Sequence, residues 1–173
     1  PTTSGGGFTL VELIIVIALV GILAATAVPS LSTLGSSRNA SAARLVQRDV
    51  SFARETAILT GTRTWVVFSP GTETYSVLAE NPSNPGRANA VVMTDPGTGK
   101  SYQITLGTAG TEFAGTGIVS ATFDSGAEIG FDWLGRPLNS TEPPLAALGT
   151  VTLSGGHQVT VRVGTGMVTH VAP

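Results

Sequence analysis

Cysteine is absent from the 173 residues. Disulfides, thiolate catalysis and cysteine-bound zinc are therefore excluded, and a folded domain has to be held by packing alone. Charged residues are scarce, at 12% of the chain, and histidine occurs only as His157 and His170. With a formal net charge of −2 there is no broad attraction to nucleic acid or anionic lipid. No His-x-His, His-Glu-x-x-His or Gly-x-Ser-x-Gly pattern occurs. A hydrolase triad or metal cluster would depend on those two histidines, which read as surface residues.

What is present begins with one long apolar run. Residues 8–28, FTLVELIIVIALVGILAATAV, would make a helix of about 31 Å, the thickness of a bilayer's hydrocarbon core. Glu12 interrupts it. A carboxylate at that depth costs about 2.5–3.5 kcal/mol on insertion scales, so it needs a partner. A secretory signal peptide fits poorly, because the stretch after Glu12 exceeds a usual signal core and residues 1–7 hold no basic side chain. A plain membrane anchor fits the length and leaves Glu12 unexplained.

Gly7-Phe8-Thr9-Leu10-Val11-Glu12-Leu13, followed by the apolar run, Gly21 and Pro29, resembles the N-terminus of type IV pilins and of the pseudopilins of type II secretion. The resemblance implies cleavage after Gly7 by a prepilin peptidase and methylation of the new terminus at Phe8. It further implies that Glu12 meets the N-terminal amine of a neighbouring subunit as a filament assembles. Opposite charges attract far more strongly in a low-dielectric helix bundle than in water, while either alone carries an uncompensated desolvation cost. Mobility between Gly21 and Pro29, where proline kinks a helix, belongs to the same expectation. Leaders in the family carry Lys or Arg before the glycine, whereas this chain begins PTTSGGG without methionine, so further leader sequence is expected upstream.

Beyond Pro29 lie about 145 residues, enough for one domain with a core. Leu34, Ala42, Leu45, Val46, Phe52, Ala53, Ala57 and Leu59 recur at helical spacing, so the helix is predicted to continue as an amphipathic segment that Gly61 ends. The pattern then switches to period two. Thr64–Phe68 and Thr74–Leu78 form a predicted hairpin around Ser69-Pro70-Gly71. Further strands are predicted at Ala90–Thr94, Tyr102–Leu106, Ile118–Phe123, Glu128–Trp133, Thr150–Leu153, Val159–Val163 and Met167–Val171, joined as an antiparallel meander.

The segments Arg44–Val46, Phe52–Ile58, Gly130–Pro137 and the Gly-rich hairpin ending Thr165–Val168 are, in this order, similar to the GspH/FimT family of minor pseudopilins and minor pilins. The expected fold is α+β and pilin-like, a long N-terminal helix, half transmembrane and half amphipathic, packed on an antiparallel β-sheet domain. Its parts are a leader remnant at 1–7, a transmembrane and assembly helix at 8–28, an amphipathic helix at 29–61 and a β-rich globular domain at 62–173.

Three other patterns carry less. Gly99-Lys100-Ser101 lies near a strand like part of a phosphate loop, but Thr94 stands where that motif needs its first glycine, and residues 101–106 alternate like a strand where a helix is required. A hairpin turn fits better. Asp124, Glu128 and Asp132 lack the spacing of a calcium loop and read as a solvated polar face. Asp132, Gly135 and Arg136 before Pro137 read as a structural turn.

The expected function is that of a minor structural subunit of a type II secretion pseudopilus or a type IV pilus. It has no catalysis, cofactor or small-molecule substrate of its own. It is held in the bacterial inner membrane by one span, with its globular domain outside the cytoplasm. Other pilins or pseudopilins, the prepilin peptidase and an inner-membrane assembly platform are the implied partners. The alternative is a FimT-like minor pilin that binds DNA in natural transformation. It ranks lower because residues 166–173 hold no Lys or Arg and phosphate neutralisation needs several.

Overall fold

The computed structural model describes residues 9–124 and 126–173, without the side chains of 25–33. Helix α1 (Leu10–Thr60) includes residues of two compact units, one ending at Ser36 and the other beginning at Ser37. Residues Gly35-Ser36-Ser37 are helical despite their poor propensity. Gly61 ends the helix, with φ +68° and its N–H on the Ala57 carbonyl at 3.0 Å.

Within the unit Ser37–Pro173, α1 lays a stripe of Ala42, Ala43, Val46, Val50, Ala53 and Ala57 into the core, all with no exposed surface. Four of the six are alanine, which lets the helix approach the strands closely. Leu34 and Leu59, predicted on this stripe, are exposed instead. The inner face keeps the three-or-four spacing and also passes through Asp49.

The single meander expected from strand order is corrected by the structure: the strands form two antiparallel sheets. The first contains β1 (Thr64–Ser69), β2 (Thr74–Ala79), β3 (Val91–Val92), β4 (Gln103–Thr105), β6 (Glu128–Phe131) and β7 (Pro137–Leu138). Its order is β3-β2-β1-β6-β7, with β4 also on β2. The second contains β5 (Ile118–Thr122), β8 (Gly149–Leu153), β9 (Gln158–Val161) and β10 (Val168–Val171), ordered β10-β9-β8-β5.

Two cross-strand glycines hold these pairings in register. Gly130 on β6 faces Trp65 on β1, and a β-carbon there would sit 2.6 Å from the indole. Gly149 gives the Phe123 ring its place beside β8, where any β-carbon would collide with the ring edge. Trp65 and Val66, neighbours on β1, are both fully buried, so both faces of that strand are covered. The Trp65 Nε1 is the one buried side-chain donor among the described residues without a hydrogen-bond partner.

Phe68, Tyr75 and Val77 of the first sheet, with Val151, Leu153, Val159 and Val161 of the second, close one core against α1. Full burial of a side chain of this size contributes about 1.5–3 kcal/mol. The sheets adjoin at Glu73, whose carboxylate accepts the Ile118 N–H at the start of β5.

Candidate assembly site

The first unit presents its chemistry at the helix start. Thr9 caps α1: the Glu12 N–H donates to Thr9 Oγ1 at 3.2 Å and the Leu13 N–H to the Thr9 carbonyl at 3.1 Å. Thr9-x-x-Glu12 is the sequence of a capping box, and the first turn, rich in unpaired amides, is where a carboxylate is most favoured. Glu12 therefore has a local reason to stand there. That reason explains a surface acid, not one ringed by aliphatic side chains.

Every large aliphatic side chain from Leu10 to Leu23 is between 47% and 74% exposed, on all sides of the helix. Glu12 is the only charged residue among them, and no cation pairs with it among the described residues. Gly21 has open space where its β-carbon would be, so no contact within the chain requires glycine there. Pro29 lies within α1 and its side chain falls outside the described ones; Gly7 and Phe8 lie outside the described residues altogether. Among those described, no helix is long and apolar enough to cross a membrane.

The second unit accounts for the remaining candidates. The Gly99-Lys100-Ser101 segment is a hairpin turn: Thr94 bridges Ser101, and the Asp95 carboxylate accepts the Gly97 N–H and the Thr98 hydroxyl. Those bonds, the Thr98 hydroxyl first, hold Asp95 below the usual carboxylate range. The three acids considered for calcium each have a separate partner. Asp124 accepts the Ala146 and Ala147 N–H groups, Glu128 pairs with Arg87 at 2.7 Å and Asp132 with Arg136 at 2.7 Å. No group of three metal-ligating side chains forms among the described residues. Gly135, at φ +75°, completes the Asp132–Arg136 turn against Ile58, as a structural turn would.

Two features escaped the sequence pattern. Asp49 on α1 is fully buried, accepting Tyr75 Oη at 2.7 Å and Arg48 Nε at 2.9 Å. Its interval from Val46, Val50 and Ala53 was the available signal. The histidines are corrected from surface residues to a pair: His157 is 6% exposed, and its Nδ1 lies 3.0 Å from His170 Nε2. Between α1 and the β9–β10 turn runs an open groove of about 560 Å³, lined by Arg54, Glu55, Arg162 and Met167 among others.

Residues 5–28 match the prokaryotic N-terminal methylation motif. Two solved structures of the minor pseudopilin EpsH, from the type II secretion system of Vibrio cholerae, superpose with TM-scores of 0.57 and 0.55. Each is 14% identical; they cover 80% and 79% of this chain and 98% and 96% of their own. The chain has the minor-pseudopilin fold. No curated protein matches it in sequence. The pseudopilin fold thus accompanies a methylation motif at the chain's start, on an N-terminal unit whose aliphatic surface is exposed.

Proposed function

We propose that this chain is a minor structural subunit of a type II secretion pseudopilus, assembled from the inner membrane. The observation that carries the reading is the all-round exposure of aliphatic side chains from Leu10 to Leu23 around the single carboxylate of Glu12. Such a surface has to be covered, first by lipid and later by the helices of neighbouring subunits. In this reading prepilin peptidase cuts after Gly7 and methylates Phe8. Glu12 then takes its counter-charge from the new amine of an adjacent subunit. Gly21 and Pro29 loosen the helix for its transfer out of the bilayer. Other pseudopilins and the assembly platform are the partners, and no catalytic step belongs to the chain.

Mass spectrometry of the mature protein from a host with a working peptidase should find N-methylated Phe8 as the first residue. Glu12→Gln should be processed normally yet enter sheared filaments at a small fraction of the parental level. Recovery of mature protein with residues 1–7 attached would exclude the processing step. Filament entry of Glu12→Gln at the parental level would exclude the pairing role.

A further inference from the structure

β10 is the outermost strand of the second sheet and is held by one ladder, Val168 opposite Val161 through Val171 opposite Gln158. Val168 also packs against the core, and polar side-chain contacts supplement the ladder. Gln47 of α1 reaches the Val168 carbonyl at 3.4 Å, the Thr160 and Thr169 hydroxyls meet at 2.8 Å, and His157 Nδ1 meets His170 Nε2 at 3.0 Å. A nitrogen-to-nitrogen contact of that length is a hydrogen bond with one proton between the two rings.

That bond sets a limit on charge. A first added proton can go to the outer nitrogen of the donor ring and leave the bond intact. A second has to occupy the accepting nitrogen, which puts N–H against N–H and two cations within one contact. The positive charge of Arg44 on α1 also disfavours a proton on His170, and no carboxylate pairs with either ring among the described residues. His157 is buried in the segment that connects β8 to β9, and His170 is half-buried, so solvent screens the repulsion only in part.

We propose that the His157–His170 pair is a proton-sensitive clasp on β10: it secures the strand at neutral pH, and double protonation in acid releases it and opens the β9 edge. An opened edge is a pairing site for a strand of another chain. The direction agrees with the electrostatics of His170. Burial first, then His157, then Arg44 hold its titration below the ordinary histidine value. A depressed value means that the docked strand binds fewer protons than the released one. Docking is therefore at full strength above about pH 6.5 and weakens as pH falls below it.

Hydrogen exchange followed by mass spectrometry tests this on the full chain in detergent micelles, with exchange times scaled for the intrinsic pH dependence. One proton taken up on release weakens docking by up to tenfold per pH unit, so protection over 167–173 should fall roughly tenfold or more between about pH 7 and about pH 5. Protection over 64–79 should hold. His170→Gln should remove the step while leaving the strand docked at pH 7. An unchanged protection factor in the parent, or the same fall in the variant, would overturn the clasp. Should the variant not fold, imidazole nitrogen shifts of the parent decide: two separated titration steps are expected, the lower tracking loss of protection. A single step near the ordinary value would overturn the proposal.

Discussion

Replacing Asp49 by Ala is the sharpest probe of how α1 is tied to the strands. The carboxylate is fully buried and accepts Tyr75 Oη at 2.7 Å. Hydrogen bonds to a charged acceptor are worth about 1.5–3 kcal/mol each, and a buried hydroxyl left without a partner costs about 1–3 kcal/mol. Removing the desolvated charge gives part of this back, while Arg48, whose side chain is 70% exposed, adds little. The net loss should be about 3 kcal/mol out of the roughly 5–15 kcal/mol typical of a domain, or a fall in Tm of roughly 10 °C. Urea unfolding of the globular unit, followed by tryptophan fluorescence and circular dichroism, measures it. Asp49→Asn, which keeps one acceptor, should lose about half as much. A double-mutant cycle with Tyr75→Phe should return a coupling of ~1.5 kcal/mol or more. If Asp49→Ala unfolds within about 0.5 kcal/mol of the parent, the carboxylate is not a net tie and this reasoning fails.

Two more outcomes follow from the same core. Tyr75 and Tyr102 are both raised above the usual tyrosine value, by burial first and by Asp49 second. The folded chain therefore keeps phenolic protons that the unfolded chain releases near pH ~10, so the tyrosines' contribution to stability should be level below that pH and decline above it. Denaturant midpoints in alkaline buffers test the decline, and Tyr75→Phe should blunt it. Gly149→Ala puts a β-carbon into the edge of the Phe123 ring. It should cost about 1–3 kcal/mol by overpacking, visible as a lower urea midpoint, and Phe123→Leu in the same chain should restore part of it.

Legibility differed sharply between elements. Helix α1 and its glycine stop could be read because periodicity and capping are local, and so could the β1–β2 hairpin, whose register Thr64 to Ala79 follows from one short turn. The consecutive β8-β9-β10 pairing was legible too, but the split into two sheets was not. That split depends on β1 pairing with β6 across more than sixty residues, Thr64 opposite Phe131, and on β5 leaving to join β8. Asp49 was not singled out by the sequence pattern, because its burial depends on which face of α1 the strands cover. The two histidines, thirteen apart in sequence, are neighbours only through the β9–β10 register.

The one-dimensional order of residues determined the features that need only near neighbours: a capped apolar helix with a lone acid in its first turn, an amphipathic continuation, and short strands broken by glycine and proline. Helical spacing, capping and turn geometry act over a few residues, so these survive any choice of topology. Tertiary structure alone decided which strands share a sheet, that Tyr75 closes on Asp49, and that His157 and His170 share a proton. Those contacts join residues distant along the chain, and their energies exist only after the backbone has brought the groups within hydrogen-bonding distance.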